Sequence, residues 1–368
     1  MAIVLLILGI LLFVGLVVVH EFGHFIAARR NGVEVEEFGI GFPPRAKVLT
    51  KKHGTTYTLN WLPLGGFVKL KGEHDEDDTP GSYGAAKLGA KVKILLAGVG
   101  MNFLVAAILF TTLALVGMPK ANLADLPFYD REQFSVAADT ELVSSQIFVG
   151  VVEDSPAAEA GLQSGDELQR VDGEVIERAD ELPAITESLR GQTVDIEYVR
   201  DGEVFKTSAT LNEDANGQGY LGVAPADAQV IRATWSAPIV GAVSTLQYTD
   251  VSLRGLGYVV QNLFAGKPEV AGEAVGGPVA VFMILSDTAA IGIAQVLFVI
   301  ALVSVSLGIM NALPIPALDG GRLFVTLIFR TLKKPLNKEL EERIHGTGFM
   351  VLMLLIVVIT VVDIRRFF

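Results

Sequence analysis

The strongest constraint on this chain is the position of its first ionisable residues. About 18 uncharged residues run from Ala2 to Val19, close to the roughly 20 needed to cross a bilayer core. The run continues directly into His20-Glu21-Phe22-Gly23-His24. An ionisable side chain at bilayer depth costs on the order of 2.5–3.5 kcal/mol, and such residues are functional by default. Histidines at i and i+4 of a helix project from one face about a turn apart, so both rings can reach one metal ion. The glutamate between them sits beside that face, where a carboxylate can take a proton from water on the metal. A secretory signal peptide is the other reading of such an N-terminus. The missing charged n-region and the missing small-x-small cleavage site weaken it.

Composition places the whole chain in the same class. Of its 368 residues, 51% are hydrophobic and the mean hydropathy is positive, which is unusual for a soluble protein. A net charge of −12 and the lack of a basic stripe exclude nucleic acid as a partner, because phosphate has to be neutralised by Lys and Arg. With no cysteine, a transition metal has to be held by His, Asp or Glu. Three further apolar runs, Ile94 to Met118, Ala289 to Leu313 and Thr347 to Val362, bring the expected membrane spans to four. The stretch from Pro238 to Phe264 contains Asp250 and Arg254. It reads as an amphipathic helix lying at the interface, with Trp235 as an anchor.

Lys and Arg flank the spans unevenly. Arg29, Arg30, Arg45, Lys47, Lys51 and Lys52 follow the first, Lys91 and Lys93 precede the second, and Arg330, Lys333, Lys334 and Lys338 separate the third from the fourth. These groups mark the cytoplasmic side. The acidic stretch between spans two and three then faces outward.

A catalytic zinc site normally has three protein ligands and an open position. The remaining histidines, His53, His74 and His345, lie in polar, loop-like sequence outside the expected spans. Asp319 is the better third ligand. It closes the segment from Asn311 through Pro314 and Pro316 to Gly320-Gly321 directly after an apolar run. The prolines break the helix there, and irregular backbone at that depth is tolerated only when buried in protein or lining a wet cavity.

Between spans two and three, Leu142 to Asp227 reads as a small globular domain. Ile147 to Val152 is a strand, Ser155-Pro156 opens a short helix, and Leu168 to Val171 is a second strand. A helix from about Asp180 to Leu189 follows, then strands around Val194–Val199 and Glu203–Thr210 joined by Asp201-Gly202. This order, with Ser155-Pro156-Ala157-Ala158-Glu159-Ala160-Gly161-Leu162, resembles a PDZ domain of bacterial protease type. In that comparison Tyr220, Leu221, Gly222 and Val223 resemble the loop whose amides receive a peptide C-terminus.

Taken together, HExxH after a first span, Asn-x-x-Pro-x-Pro-x-Leu-Asp-Gly on a late span and a PDZ-like domain between them resemble the site-2 proteases, a family of intramembrane zinc metalloproteases. The resemblance covers nearly the whole chain. It implies Zn2+ held by His20, His24 and Asp319, with Glu21 as catalytic base. Asn311, Pro314 and Pro316 would lie around the substrate. The segment carrying Gly39 and Gly41, with Tyr57–Trp61 and Gly65–Leu70, would form a hairpin re-entering the membrane, whose edge holds the substrate as an added strand. Asn102 resembles the Asn of the family's Gly-x-x-x-Asn-Phe element, with Val99 replacing the usual proline. Packing through Gly98 and Gly100 explains the glycines equally well. The implied partner is a single-pass transmembrane protein substrate, such as a pre-cleaved anti-sigma factor, in a bacterial inner or plasma membrane. The active site would lie near the cytoplasmic side and the PDZ domain outside.

The expected fold is therefore a polytopic α-helical membrane protein with about four transmembrane helices, a membrane-associated β-hairpin region and one inserted α+β PDZ domain. Its parts are expected at 1–30 (first span), 31–90 (strand-rich, partly re-entrant), 91–120 (second span), 121–230 (PDZ), 231–282 (interfacial segment), 283–325 (third span), 326–345 (cytoplasmic loop) and 346–368 (fourth span). The rival class is a membrane-anchored PDZ adaptor with a non-catalytic zinc site. It would need a fourth protein ligand, and the sequence offers none nearby.

Overall fold

The computed structural model describes residues 2–123, 126–133, 139–152, 154–200, 202–215, 219–273 and 275–368. Helix α1 (Ala2–Arg30) is 29 residues long, about 43 Å at 1.5 Å per residue, so His20 to His24 continue the same helix beyond the apolar run. Strands β1 (Val35–Lys52) and β2 (Thr55–Leu70) fold back so that Gly39 lies opposite both Thr58 and Phe67. Helix α2 (Leu88–Val116) then crosses α1 with the backbones in contact. A Cβ added at Gly23 would sit 2.6 Å from the Ala97 carbonyl oxygen and 2.7 Å from Met101 Cγ.

A second sheet follows. It contains β3 (Met118–Pro119), β4 (Glu141–Val151), β5 (Glu167–Val171), β6 (Glu174–Val175), β7 (Thr193–Arg200), β8 (Glu203–Thr210) and β9 (Val223–Arg232). Its order is β3-β9-β4-β5-β7-β8, with β6 on β5. Helices α3 (Pro156–Glu159) and α4 (Leu182–Ser188) lie between strands. Ile147, Val149, Leu168, Val171, Val194 and Ile196 form its core, each at most 3% exposed. Gly202 turns the β7–β8 hairpin at φ 83°, and Asp201 lies outside the described residues. Strand β9, the longest partner of β4, was not expected. Its Ala- and Asp-containing sequence has low β propensity, and tertiary pairing overrides it.

Helix α5 (Ala237–Phe264) buries Ala237, Val240, Gly241, Ser244, Thr245 and Tyr248, the spacing of one helical face. That face lies on α2, where Tyr248 stacks on Phe110 at 5.2 Å and a Cβ on Gly241 would come within 2.7 Å of the Ala107 carbonyl oxygen. Asp250 pairs with Arg254 at 3.1 Å, and Trp235 stands exposed just ahead of the helix. A short α6 (Pro268–Glu273) follows.

Two expected boundaries are corrected. The run Ala289–Leu313 is not one helix, because Gly292 at φ 153° divides α7 (Pro278–Ile291) from α8 (Ile293–Ala312). Helix α7 begins inside the expected interfacial segment, started by Pro278 at its first turn. Hydropathy averages over such a break, so it read one span. The expected loop 326–345 is likewise mostly helical. Amphipathic α9 (Asp319–Thr331) follows the proline segment, and α10 (Lys338–Phe367) starts at Asn337, whose side chain caps the Leu340 N–H at 3.0 Å. At its other end Asp363 caps α7, accepting from the Gly277 and Ala280 N–H groups at 3.0 Å. Among the described residues four helices, α1, α2, α8 and α10, are long and apolar enough to cross a membrane.

Candidate metal centre

His20 and His24 face α2 from one side of α1, 7% and 6% exposed. The space for their rings is left by a glycine. A Cβ on Gly98 would lie 2.5 Å from His24 Nε2 and 2.6 Å from His20 Cε1.

The third group arrives from 299 residues away, with Asp319 Oδ2 lying 3.0 Å from His20 Nε2. The backbone that delivers it is tightly wound. A Cβ on Gly320 would reach within 2.5 Å of the Leu313 carbonyl oxygen, and one on Gly321 within 2.8 Å of Pro316 N. Ala317 adopts φ +80°, a conformation that L residues hold only when surroundings impose it. Its N–H donates to His345 Nδ1 at 3.1 Å, and Pro316 rests on Gly348 of α10. His345 is therefore not in a loop, as its polar neighbours suggested. It lies on α10 and supports the turn that carries Asp319.

His24 Nε2 lies 3.1 Å from His20 Nε2 and 3.2 Å from Asp319 Oδ2. These residues form the one potential metal-binding cluster among the described residues. The outer ring nitrogens decide whether a metal fits. His24 Nδ1 sits 2.7 Å from the Ile94 carbonyl oxygen, which only accepts, so Nδ1 carries a proton and, in the neutral ring, Nε2 is the lone-pair nitrogen. His20 Nδ1 lies 3.2 Å from the Asn102 side-chain amide nitrogen, while Asn102 Oδ1 is buried with no partner. Amide nitrogen and oxygen are interchangeable assignments. Turned over, the amide places Oδ1 on the His20 Nδ1–H, which satisfies the orphaned oxygen and leaves His20 Nε2 bare as well. With both rings neutral, two lone-pair nitrogens and a carboxylate oxygen face one another at 3.0–3.2 Å, an arrangement that a proton or a metal ion among them stabilises. Tetrahedral zinc with bonds of about 2.0–2.1 Å sets its ligand atoms roughly 3.3 Å apart. The donor set fits zinc.

Glu21 lies beside this trio. Its Oε2 accepts a hydrogen bond from the Val68 N–H at 3.1 Å, and its side chain neighbours Gly66. The strand pair thus meets the centre through Gly66 and Val68 of β2. Gly39 and Gly41 serve the sheet itself. A Cβ on Gly39 would come within 2.8 Å of Asn60 Nδ2, and the Gly41 carbonyl accepts from that same Nδ2 at 2.9 Å. Asn311 ends α8, donating to the Leu307 carbonyl at 3.1 Å, and Pro314 is exposed. Tyr220, Leu221 and Gly222 lead into β9, which starts at Val223, and the four line a groove with Leu182, Pro183 and Thr186 of α4. Leu221 is 2% exposed, and its carbonyl accepts from the Ala157 N–H at 3.0 Å.

Asn102 is 1% exposed and its own carbonyl accepts from Ser304 of α8 at 2.8 Å. Partners that orient a metal-binding histidine typically contribute 10–100-fold to affinity. Asn102→Ala is expected to weaken zinc binding by about that factor with helix content unchanged, measured by competition with a chromophoric chelator. Unchanged affinity would reduce Asn102 to a packing residue.

The model of peptidase family M50, the site-2 protease family, matches residues 8–355. A Clostridium perfringens protein whose name describes a zinc metalloprotease is 34% identical over 365 residues, covering 98% of both chains. The zinc metalloprotease RasP of Shouchella clausii is 28% identical over an alignment 424 positions long, again covering 98% of both. The regulator of sigma-W protease RasP of Bacillus subtilis is 27% identical over 447, with the same coverage. A donor set that fits zinc, carried by a chain whose relatives are named for the same chemistry, places this protein in peptidase family M50 as a zinc metalloprotease.

Proposed function

We propose that the protein cleaves a transmembrane segment of a single-pass membrane protein, with His20, His24 and Asp319 as zinc ligands and Glu21 as general base. The observation that carries this is the convergence of the His20, His24 and Asp319 ligand atoms at 3.0–3.2 Å beside α1, a helix apolar enough to cross a membrane. Bound zinc supplies a Lewis acid that activates water and polarises a carbonyl. The protein's own residues do the rest. Ile94 and Asn102 fix the two imidazole tautomers, while the Gly320-Gly321 turn brings in the carboxylate. Glu21 takes the proton of the attacking water and returns it to the leaving nitrogen.

A helical substrate hides its carbonyls in its own hydrogen bonds and has to unwind before attack. The β2 edge beside Glu21 offers it an extended partner, because the Val68 N–H points out of the ladder towards the site. Asn311, Pro314 and Pro316, at the end of α8, would flank the same path. The order of the second sheet and the groove between α4 and Val223 support one PDZ domain taking a peptide C-terminus, on the extracytoplasmic side by the distribution of Lys and Arg. The Bacillus relative's name ties it to sigma-W regulation. That supports a regulatory substrate here, such as an anti-sigma factor already trimmed by another protease, in a bacterial plasma membrane.

The test is cleavage of a synthetic transmembrane segment by the purified, zinc-loaded chain, with the cut mapped by mass spectrometry. Cleavage inside the apolar segment, abolished by a chelator and restored by zinc, is expected. Cleavage confined to water-soluble unfolded peptides would contradict the proposal.

A further inference from the structure

On the reading just given, the substrate pairs with the outer edge of Gly66–Leu70. In a strand, alternate N–H groups point to the same side. Two of those on the outer side already have acceptors, and neither acceptor belongs to the sheet. The Val68 N–H donates to Glu21 Oε2 at 3.1 Å, and the Leu70 N–H donates to Glu73 Oε1 at 2.8 Å. An incoming strand would need these same two donors, because they are spaced two residues apart.

We propose that Glu73 caps the substrate edge of β2 in the resting enzyme, and that the arriving strand displaces both carboxylates. An unpaired edge is a liability that proteins cover with charge, and here the cover is local and removable. Glu73 is held in place for this task. Its own carbonyl accepts from Arg322 Nη2 at 3.0 Å, and Arg322 lies one turn beyond Asp319 on α9. The cap and the third metal ligand are thus referenced to one helix. Displacement also has a consequence for the chemistry. Glu21 surrenders the Val68 N–H when a substrate carbonyl takes it, so the base is released as the peptide reaches register. Segments that pair weakly do not dislodge two charged acceptors, which makes Glu73 a positioning residue that filters substrates.

A hydrogen bond to a charged acceptor is worth roughly twice a neutral one, so losing the cap should favour the incoming strand. The probe is a transmembrane peptide with a reduced, uncleavable scissile bond, titrated into the zinc-loaded full chain. Its cleavable counterpart gives kcat and KM. Glu73→Ala is expected to lower both the Kd and the KM about fivefold, with kcat and zinc content within about twofold of wild type. Glu73→Gln, which keeps the geometry but not the charge, should lie between. Unchanged or weaker peptide binding in Glu73→Ala at full zinc content would overturn the cap.

A second series separates this from failure of the strand reading itself. Single backbone esters along the peptide remove one N–H and weaken one carbonyl acceptor at a time. In wild type they should weaken binding at alternate positions. If no ester matters, strand pairing is wrong and the cap falls with it. If esters matter but Glu73→Ala binds no tighter, only the cap is wrong.

Discussion

Glu21→Gln is expected to lower kcat by about 10²–10⁴-fold, the usual contribution of a general base, while zinc content stays at the wild-type level. The substitution preserves shape, and the glutamine oxygen can still accept from the Val68 N–H, now 3.1 Å from Glu21 Oε2. Only proton acceptance is lost. A steady-state cleavage assay with parallel metal analysis reads both quantities. Cleavage at the wild-type rate would remove Glu21 from the mechanism.

The second large effect comes from one added methyl. In Gly98→Ala the new carbon would lie 2.5 Å from His24 Nε2 and 2.7 Å from His20 Nε2. Neither ring can turn aside easily, because His24 is pinned to the Ile94 carbonyl at 2.7 Å and His20 to Asn102 at 3.2 Å. Loss of zinc affinity by at least about 100-fold is expected, at or beyond the upper end of what removing a supporting partner does. Gly100→Ala is the internal control. It lies on the same helix with nothing within 4 Å of an added Cβ, and Gly to Ala inside a helix stabilises by roughly 0.5–1 kcal/mol. Equal zinc affinities in the two variants would show that Gly98 is not the space in which the metal centre is built.

The parts of this site legible in the sequence were those with a local signature. His20 to His24 stood out because ionisable residues extended an apolar run, and Asp319 because two prolines broke a helix beside it. Asn102 was recognisable by its neighbours, but its role depended on an orphaned oxygen facing a histidine 82 residues away. What escaped was long-range or too short to alter an average. The kink at Gly292 changes no hydropathy. His345 looked like a loop residue because the first two turns of α10 are polar, although Asn337 was a visible helix start. The carboxylates on the β2 edge are invisible until the strand has a place beside α1. Gly39 and Gly41 of the hairpin show close approach within the sheet, and the contact with Glu21 is made by Gly66 and Val68.

In the proposed metal site a carboxylate from α9 completes the ligand set begun on α1. Zinc stoichiometry of the purified wild type, His24→Ala and Asp319→Asn, measured side by side after dialysis against a weak chelator, tests it most directly. One zinc per chain in the wild type and its loss in both variants is the predicted result. Loss in His24→Ala with full retention in Asp319→Asn would contradict it, leaving Asp319 a bystander 3.0 Å from His20.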